Sequence, residues 1–485
     1  MVAHQGGSRD YSQHLWALLV FELWQRQFID GPALPSVFER SVSERLESRV
    51  SSASTSERRE SRILSVSASG VRPLRILIAA DVDPCEVGSG AERVLAAEVK
   101  DLTERGYSVT VLTRGADRTQ PLTDEAANFE LVRFSVPGGR GPSSLLATLN
   151  AARHATDSWL AANSCDVVFV QQPMTGAGVL SSKAIHSVPV VYNYHSPWSE
   201  EFRIRALQNR LPLVDPNTVA PTRGEAMQMA VRRRMERHVV LRANRVRCLS
   251  RFMANLCCGL HGVPSDRMAV IPGGVNTDHF RPTTDRSAMR ARLGIAPDEL
   301  FLLTVRGLET RMGLGKLLDA MPLVLLQQPK AILIIGGNGP LKEALCRRAE
   351  ELRLGDRVRF AGFIPEEDLP GTYGAADLFV LPTIALEGFG LVTVEALSCG
   401  TPVVGTPVGG TPEILRGLDP TLILESAEPQ AIACGILENL GRVGGREDWR
   451  SRCREYAVAN YSWQAVTDRL EETLLEVASA GRGRR

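Results

Sequence analysis

Short apolar runs alternate with helical patterns along most of this 485-residue chain, and this alternation limits the folds open to it. The first run, residues 74–80, precedes a glycine-rich loop at 88–90, a helical pattern over 91–103 and another apolar run at 107–113. A strand, a glycine loop, a helix and a strand in this order form a βαβ unit, in which the two strands lie parallel. The chain is therefore predicted to belong to the α/β class, with open parallel sheets covered by helices.

The alternation falls into two series, separated by a segment rich in glycine and proline at residues 272–282. Such segments are typical of a boundary between domains. Before this segment, the sequence predicts further strands at 167–170, 188–192 and 246–250 and a long helix over 224–243. After it, the predicted strands are residues 300–305, 331–336, 358–360 and 378–381. Two α/β domains are expected.

Composition places the chain among ordinary globular proteins, with 44% hydrophobic residues and a formal net charge of +1. This near-neutral balance gives no electrostatic reason to expect nucleic acid as a partner. No apolar run reaches the 18 residues of a membrane-spanning helix. Nine cysteines without a C-x-x-C pair or a metal-ligand spacing favour reduced thiols, so we expect a cytoplasmic protein.

The first 71 residues differ in composition from the rest of the chain. Residues 1–38 are predicted to form a helical extension, because residues 14–28 form an amphipathic, tryptophan-containing pattern that two prolines follow. Residues 39–71 are rich in Ser, Arg and Glu, which predicts a disordered linker. An amphipathic helix can lie on a membrane or on a protein partner. A peripheral contact with the inner face of the membrane therefore stays open.

The pattern that most clearly indicates a ligand-binding site is a pair of glutamates eight positions apart, Glu387 and Glu395. Gly388 and Gly390 follow the first glutamate, and a short helix is predicted over 392–399. A glycine turn that enters a helix presents free backbone N–H groups and the positive end of the helix dipole, which suits a phosphate. Carboxylates beside such a turn suit a ligand with hydroxyl groups to donate. A sugar nucleotide has both parts.

This segment, extended by residues 396–415, resembles the E-x7-E signature of retaining nucleotide-sugar glycosyltransferases of glycosyltransferase family 4. The resemblance covers residues 72–470 and implies the GT-B architecture: two Rossmann-like domains face a central cleft, and a C-terminal helix crosses back to the first domain. By this resemblance we expect an acceptor domain, a donor domain and a crossover helix with a basic tail at residues 72–282, 283–460 and 461–485. Over a short stretch, residues 1–30 resemble the C-terminal end of an asparagine-synthetase-type domain.

The family resemblance assigns roles to the two glutamates and to the turn between them. It implies that Glu387 lies beside the transferred sugar and that Glu395 accepts hydrogen bonds from the ribose hydroxyls. The turn and the helix start become the donor-binding segment, with free N–H groups directed at the diphosphate. The donor-binding residues of this segment are Gly388, Phe389, Gly390, Leu391 and Val392, the last three through their N–H groups.

Two further loops of the second domain complete the expected donor site, because open parallel sheets bind ligands beyond the carboxyl ends of their strands. The turn with Gly337 and Gly339 follows a predicted strand and resembles the family turn that lets the backbone approach the nucleotide. The backbone groups of Phe363 and Ile364 are expected to face the base, because their loop resembles the base-recognition loop of the family.

The first domain is expected to contribute the acceptor side of the site. Gly90 belongs to a loop that resembles the Gly-Gly-Ala-Glu loop of the family, with Ser89 in place of one glycine, and is expected near the donor diphosphate. His195 follows a strand and is expected to donate a hydrogen bond to the reacting sugar. Asp81 and Asp83 resemble the D-x-D metal motif of another glycosyltransferase fold, but they end the first strand and we interpret them as structural. We therefore expect no metal cofactor.

The chain departs from the family where an Arg and a Lys neutralise the departing diphosphate. The two family positions hold Gly307 and Met312 in this sequence, while Arg306 and Arg311 each stand one residue earlier. A one-residue shift on a strand turns a side chain to the opposite face, which argues against Arg306 as the substitute. Arg311 lies on a predicted loop, so we expect it to act in catalysis, with Arg306 as a second donor-binding residue.

These features predict retaining transfer of a hexosyl group from a nucleoside diphosphate sugar to an acceptor hydroxyl of a glycan, glycolipid or small glycoside. The predicted catalytic residues are Glu387, His195 and Arg311. No motif supplies a nucleophile, so we favour front-face departure of the diphosphate, whose own oxygen takes the acceptor proton. Two alternatives stay open: a degenerate, non-catalytic GT-B binding protein, and a nucleotide-sugar epimerase. The sequence does not identify the base, the sugar, the acceptor or the oligomeric state.

Overall fold

The computed structural model describes residues 73–85, 90–115, 129–136, 142–443 and 446–482. The predicted helical extension at 1–38 and the predicted linker at 39–71 lie outside the described residues, as do Gly88, Ser89 and the last three residues of the basic tail. In the described part of the chain, no helix is both long enough and apolar enough to span a bilayer.

The first sheet contains seven parallel strands in the order β3-β2-β1-β4-β5-β6-β7. The chain starts at the centre with β1, adds strands on one side and then adds the rest on the other, which is the doubly wound pattern of a Rossmann-like domain. The strands are Arg75–Ala80 (β1), Ser108–Arg114 (β2), Glu130–Phe134 (β3), Val167–Val170 (β4), Val190–Tyr194 (β5), Arg245–Cys248 (β6) and Met268–Val270 (β7).

Helices cover this sheet because their apolar residues bury against it. The capping box of Thr222 and Glu225 fixes the start of one long helix, and Ser250 caps the last helix of the domain. The helices are Gly90–Glu104 (α1), Pro142–Ala162 (α2), Pro173–Leu180 (α3), Trp198–Arg210 (α4), Arg223–Arg242 (α5) and Arg251–His261 (α6). Apolar residues of α2, α3, α5 and α6 form one core cluster with the strands, and those of α1 belong to another.

The second sheet contains five parallel strands in the order β10-β9-β8-β11-β12. Its pattern of chain addition, from the centre to both sides, repeats that of the first sheet. The strands are Leu300–Val305 (β8), Ala331–Gly336 (β9), Val358–Gly362 (β10), Leu378–Leu381 (β11) and Val403–Gly405 (β12).

The helices of the second domain begin after the glycine- and proline-rich segment and share one large core cluster with its strands. They are Arg286–Arg292 (α7), Leu314–Gln327 (α8), Lys342–Glu351 (α9), Leu369–Ala375 (α10), Leu391–Ser398 (α11), Thr411–Leu418 (α12), Pro429–Arg442 (α13) and Glu447–Tyr461 (α14). The residue boundaries predicted for the domains stay predictions.

The last helix, Trp463–Arg482 (α15), returns from the second domain to the first. Its residues Leu470 and Leu474 are buried in the core cluster that contains α1 and the central strands of the first sheet. Polar bonds reinforce this contact: Glu471 accepts hydrogen bonds from Arg105 at 2.7 Å and from Tyr107 at 2.5 Å. The expected crossover helix is therefore present, and it closes one face of the first sheet.

The strands that the sequence predicts are all present within two residues of their predicted ends, and they include the edge strand β10. Three described strands, β3, β7 and β12, were not predicted from the sequence, and each lies at an edge of its sheet. Strands in the middle of a parallel sheet are buried on both faces and form continuous apolar runs. An edge strand such as β3, which has an exposed first residue and two half-buried ones, lacks that signal.

Candidate active site

The carboxyl ends of the two sheets border a cleft of about 1370 Å³, the position at which open parallel sheets bind ligands. The second domain contributes the loops after β8, β9 and β10 and the start of α11, and the first domain contributes one side of α1. Nine predicted site residues line this cleft: Gly90, Arg306, Arg311, Gly337, Phe363, Ile364, Leu391, Val392 and Glu395.

The other six predicted residues are not part of the cleft lining; they are His195, Gly339, Glu387, Gly388, Phe389 and Gly390. Most of them form the layer directly behind it. Phe389 is buried, and its ring packs against Tyr461 with the ring centroids 5.6 Å apart. A donor-binding role for Phe389 is thus left to its backbone. Gly339 packs so tightly that an added Cβ would stand 2.6 Å from the Leu308 nitrogen.

The loops after β8, β9 and β10 stack on one another through their backbones. Gly337 has a φ of +120°, and an added Cβ there would stand 1.8 Å from the Arg306 carbonyl oxygen. The Gly337 N–H donates to the Gly362 carbonyl at 2.6 Å, and the Leu308 N–H donates to the Asn338 carbonyl at 3.0 Å. Glycine is required here because no side chain fits, and the resulting wall of backbone faces the cleft.

The loop after β10 carries the residues predicted to face the base. Phe363 is 70% exposed although it is a large aromatic residue, and it lines the cleft together with Ile364. The Ile364 side chain packs over the end of β9, where an added Cβ on Gly336 would lie 2.5 Å from its Cδ1. Ile364 is therefore anchored, and Phe363 presents an open aromatic face to the cleft.

The turn between the two glutamates enters α11 with a left-handed residue. Gly390 has a φ of +92° and is the N-cap of α11, so glycine suits this position. An added Cβ on Gly388 would stand 2.8 Å from the His195 carbonyl oxygen, which brings the two domains into close contact here. The N–H groups of Leu391 and Val392 belong to the first turn of α11, where no intrahelical acceptor exists. Both residues line the cleft.

Glu387 is buried next to positive charge. Its Oε2 accepts a short hydrogen bond from the Arg306 guanidinium and another from the Thr383 hydroxyl at 3.2 Å. Burial raises the pKa of Glu387, but the charges of Arg306 and Arg311 outweigh burial, and the net pKa lies below the usual value. The carboxylate is thus charged at neutral pH. Its Oε1 makes no hydrogen bond with any described residue.

Glu395 lies inside α11 and is shared between the two domains. Its Oε2 accepts a hydrogen bond from the Tyr373 hydroxyl at 2.9 Å, and its Oε1 lies 3.2 Å from the guanidinium of Arg93 on α1. Arg93 also reaches Glu366 at 3.4 Å. Burial raises the pKa of Glu395, and Arg93 partly opposes this rise. The cleft therefore contains an ion pair that joins the first domain to the second.

Arg306 and Arg311, which precede the two positions that differ from the family, both reach the site. Because β8 ends at Val305, Arg306 lies beyond the strand, and the alternation of strand faces does not turn it away: it bonds to Thr383 at 2.6 Å and to Glu387. Arg311 donates to the Leu386 carbonyl at 2.9 Å. An added Cβ on Gly307 meets only one atom within 4 Å, so space for a longer side chain is open there.

His195 follows β5 and lies over a polar network of the first domain. Its Nε2 lies 3.1 Å from Oε1 of Gln171, the residue that follows β4. Burial and then the charge of Arg247 lower the pKa of His195 to about 4. The imidazole is therefore neutral at neutral pH. Its contact with the second domain is through the backbone, next to Gly388.

The two aspartates after β1 are engaged within the first domain. Asp81 accepts a hydrogen bond from the Thr175 N–H at 2.8 Å, and Asp83 pairs with Arg133 at 2.7 Å. These bonds hold the loop after β1 onto α3 and β3. Among the described residues, no group of three or more His, Cys, Asp or Glu side chains has the arrangement of a metal site.

The two domains also meet where α6 and α12 begin. Glu413 of α12 accepts hydrogen bonds from the backbone N–H groups of Arg251 at 2.9 Å and Phe252 at 2.8 Å. Ser250 donates to the Gly388 carbonyl at 2.8 Å. A carboxylate at a helix N-terminus accepts hydrogen bonds from the free N–H groups and is attracted by the positive end of the helix dipole. Glu413 of the second domain therefore caps a helix of the first domain.

Sequence reasoning missed several residues that contact the predicted site. Arg93 follows the glycine-rich loop, and its place in that motif was a signal that could have identified it. The others carry no local signal, because each reaches the site from a distant part of the chain. They are Gln171, Thr383, Tyr373 and Glu413.

Two family models match the chain. The model described as glycosyl transferases group 1 matches residues 285–459, and the model described as glycosyltransferase family 4 matches residues 88–279. The two matches coincide with the second sheet and with most of the first. Together they include both sides of the cleft.

Curated relatives are similar over long segments. A GDP-mannose-dependent alpha-(1-6)-phosphatidylinositol monomannoside mannosyltransferase of Mycolicibacterium smegmatis is 31% identical over 266 residues, which are 53% of this chain and 69% of the relative. A D-inositol 3-phosphate glycosyltransferase of Geodermatophilus obscurus is 29% identical over 398 residues, 79% of this chain and 84% of the relative. Both relatives are transferases by name, which does not favour the non-catalytic or the epimerase alternative.

Solved structures share the fold. Sucrose-phosphate synthase from Thermosynechococcus elongatus superposes with a TM-score of 0.69 at 23% identity, covering 84% of this chain and 100% of that one. HepE from Anabaena, in complex with UDP and glucose, superposes with a TM-score of 0.63 at 21% identity, covering 83% of this chain and 100% of that one. These similarities confirm the predicted architecture of two Rossmann-like domains around a cleft. The chain belongs to glycosyltransferase family 4 and is a glycosyltransferase with the GT-B fold.

Proposed function

We propose that this glycosyltransferase moves a hexosyl group from a nucleoside diphosphate sugar to an acceptor hydroxyl, with retention of configuration at the anomeric carbon. One observation carries the proposal: the N-terminal turn of α11 opens into the cleft between two carboxylates, Glu387 behind it and Glu395 one turn along it. Free N–H groups suit a diphosphate, and carboxylates suit hydroxyl groups. A nucleotide sugar has hydroxyl groups on both sides of its diphosphate.

We infer one orientation of the donor in the cleft from the chemistry of the lining residues. The diphosphate would accept hydrogen bonds from the N–H groups of Leu391 and Val392, and the ribose hydroxyls would donate to Glu395. The base would stack on the exposed ring of Phe363, since base–aromatic stacking contributes about 1–3 kcal/mol per base. The solved structure of HepE supports this class of ligand, because its title names UDP and glucose as bound molecules.

Positive charge near the departing diphosphate would come from Arg311, because the charge of Arg306 is already paired with Glu387. In the transition state the diphosphate gains negative charge as its bond to the sugar breaks, so preorganised cations lower the barrier. Arg311 lines the cleft, and its charge already acts on Glu387. The open space at Gly307 marks where the family arginine is missing.

The bond changes follow a front-face course. The bond between the anomeric carbon and the diphosphate oxygen breaks, and the acceptor oxygen bonds to the same face of that carbon. The acceptor proton passes to the departing diphosphate oxygen, so no protein base is needed. Glu387 is a poor candidate for a nucleophile, because Arg306 and Thr383 both hold its Oε2. Its Oε1 would instead accept a hydrogen bond from a sugar hydroxyl.

We also propose that transfer needs no metal ion. The support is the chemistry of Asp81 and Asp83, whose carboxylates are engaged with Thr175 and Arg133. Activity should persist after dialysis against EDTA and should not rise on addition of Mg²⁺ or Mn²⁺. Loss of activity in EDTA that Mg²⁺ restores would refute this part of the proposal.

The acceptor is proposed from the relatives, whose printed names include phosphatidylinositol monomannoside and D-inositol 3-phosphate. Both contain inositol, so acceptors with an inositol ring come first in a search. We further propose a cytoplasmic location, with a peripheral contact at the inner face of the membrane if the acceptor is a lipid. Co-sedimentation of the full chain with vesicles that contain phosphatidylinositol would test that contact.

The first experiment is a thermal unfolding series with UDP-, GDP- and ADP-sugars. A donor that binds only the folded state at a hundredfold excess over its Kd stabilises that state by about 2.7 kcal/mol. The stabilising donor is then incubated with the inositol acceptors, and proton NMR of the product reports the anomeric configuration. Retention supports the proposal, and inversion or a free epimerised nucleotide sugar would contradict it.

Glu387→Gln tests the role of the carboxylate. We expect kcat to fall by about 10²- to 10³-fold, the usual cost of removing one preorganised electrostatic group. The matched control is Glu343→Gln, an exposed glutamate on α9. Normal turnover of Glu387→Gln would remove Glu387 from the mechanism.

A further inference from the structure

A buried ion pair lies below the site and has no part in the proposed reaction. Glu98 of α1 and Arg247 of β6 pair with each other, and their side chains are 1% and 0% exposed. Removing two charges from water is unfavourable and offsets much of their attraction, so a buried pair is weak evidence for stability alone. The contacts that this pair makes therefore suggest what it does.

The pair is bonded to His195 through one side chain, Gln171. The Gln171 Nε2 donates to Glu98 Oε2 at 2.8 Å. The Gln171 Oε1 accepts from Asn193 Nδ2 at 2.7 Å and lies 3.1 Å from His195 Nε2. These residues follow or belong to the adjacent strands β4 and β5, so the sheet itself brings them together.

The direction of these hydrogen bonds is determined by the carboxylate. A carboxylate paired with an arginine only accepts, so it requires the NH₂ side of the Gln171 amide. A flipped amide would place its oxygen against Glu98 and its NH₂ group against the NH₂ of Asn193. Gln171 Oε1 must therefore face His195, and an amide oxygen only accepts. His195 must donate from Nε2, which leaves the lone pair on Nδ1.

We propose that Gln171, held by the Glu98–Arg247 pair, is a positioning residue that fixes His195 as the Nε2-protonated tautomer, so that Nδ1 accepts a hydrogen bond from a hydroxyl of the transferred sugar. The inference rests on the proposed function and on the position beside the transferred sugar that the family resemblance implies for His195. It reverses the role expected from the sequence, where His195 donates. No hydrogen bond joins Nδ1 to a described residue, whereas Nε2 is engaged with Gln171.

The first test needs no substrate. In protein labelled with ¹⁵N-histidine, the His195 signals are those lost in His195→Ala. We expect Nε2 to resonate as a protonated nitrogen and Nδ1 as an unprotonated one in the wild-type enzyme. The opposite assignment would overturn the inference. Gln171→Met removes the acceptor at constant length, and a mixture of both tautomers is expected.

Gln171→Glu is the conservative variant that should rescue the tautomer. Two buried carboxylates side by side share one proton. The protonated carboxyl group that this variant introduces would donate to Glu98 and still accept from His195, so the wild-type ¹⁵N pattern is expected. Gln172→Met is the matched control, because Gln172 bonds to the Asp81 N–H and not to His195. A changed tautomer in this control would show that the effect does not pass through Gln171.

The second test is a double-mutant cycle on activity. Gln171→Met should lower kcat about tenfold with little change in donor KM, because a slightly misplaced group costs up to about a hundredfold in rate. In the His195→Ala background, Gln171→Met should have no further effect. An equal loss in both backgrounds would overturn the positioning role. Absence of transfer by the wild-type enzyme would instead refute the proposed function, and the tautomer measurement would still decide this inference.

Discussion

At the scale of single residues, the site depends on how buried charges are paired. Glu387 stays charged in the interior because Arg306 and Arg311 lie beside it, and Glu395 is neutralised in part by Arg93. A buried carboxylate without such partners would take up a proton. The positions of these arginines therefore decide whether the two glutamates can act as acceptors for sugar and ribose hydroxyls.

Arg311→Ala tests which cation acts on the diphosphate. We expect kcat to fall by about 10²-fold, because the protein loses a preorganised positive charge beside the departing diphosphate. Adding Gly307→Arg should restore part of the rate, because the space at Gly307 is open and an arginine there would point into the cleft. Steady-state kinetics with the stabilising donor would measure both changes.

The comparison variant for this series is Arg416→Ala, an exposed arginine on α12 that should leave kcat unchanged. If Arg311→Ala has wild-type kcat, the role passes to Arg306. If Gly307→Arg gives no gain in the Arg311→Ala background, the open space is not equivalent to the family position.

His195 gives a prediction about pH. Burial and the charge of Arg247 disfavour the protonated ring, so we expect the His195 Cε1 proton to titrate near pH 4 and not near the usual 6.5. The pKa is lowered, so the neutral ring persists above about pH 4 and is lost only as the pH falls through that value. NMR titration measures this, and His195→Gln identifies the signal. A midpoint near 6.5 would contradict the burial argument.

At the scale of elements, the start of α11 combines three conditions: a left-handed residue, a helix N-terminus and two flanking carboxylates. Gly390 meets the first condition at a φ of +92°. An added Cβ there would also crowd the Thr393 hydroxyl oxygen, at 3.1 Å. The turn therefore places the first residues of α11, Leu391 and Val392, at the cleft.

Gly390→Ala tests this turn. An alanine in the left-handed region costs about 1–2 kcal/mol, so the free energy of unfolding should fall by that amount. The added Cβ would stand 3.1 Å from Thr393 Oγ1 and shift the turn, so donor affinity should fall as well. Denaturant unfolding with and without donor measures both effects.

Gly441→Ala is the control for this substitution, because an added Cβ there meets no atom within 4 Å. Gly441 lies in α13, where alanine is favoured over glycine by about 0.5–1 kcal/mol, so the control should be as stable as wild type or more stable. Wild-type stability and donor affinity in Gly390→Ala would mean that the turn does not need its left-handed conformation.

At the scale of the whole molecule, the two domains are joined by polar contacts at the rim of the cleft and by α15, whose first turns line the same cleft. The Arg93–Glu395 pair lies in the cleft itself, with the Arg93 side chain 30% exposed and that of Glu395 6% exposed. Glu413 holds the start of α6 from the opposite domain. The proposed donor binding and the contact between the domains therefore share at least one residue, Glu395.

Arg93→Ala tests this link. Without Arg93, the burial that raises the pKa of Glu395 is less opposed, so the carboxylate takes up a proton at a higher pH than in the wild type. Donor KM should rise about tenfold through the weaker hydrogen bonds of a neutral carboxyl group to the ribose. Because the pKa of Glu395 is raised, more of its carboxyl groups are protonated at low pH. The increase in donor KM should therefore be largest at low pH and should become smaller as the pH rises.

Donor KM measured across the pH range in which the enzyme stays folded checks this expectation, with Arg416→Ala as the arginine control. A pH-independent KM in Arg93→Ala would show that Arg93 acts through contact with the donor and not through Glu395. An unchanged KM would remove Arg93 from the donor site.

The sequence alone determined the layers of the fold. Central strands of parallel sheets are buried on both faces, so their apolar runs are visible without any partner. The glycines at 337 and 390 could be predicted for a related reason, because the conformation of a turn depends on neighbours within a few positions, and both residues have a positive φ. The roles of Glu387 and Glu395 stay predictions.

Only the tertiary structure decided what each site residue touches. Arg93 meets Glu395 across 302 positions of the chain, and Glu387 meets Arg306 across 81. The strands β7 and β12 were missed because each has only three residues, and β3 was missed because its exposed and half-buried positions leave no continuous apolar run. The tautomer of His195 likewise depends on Glu98, Gln171 and Arg247, which three different elements bring together. Local patterns record how a segment is buried, whereas the packing of distant segments sets which charges and hydrogen bonds surround it.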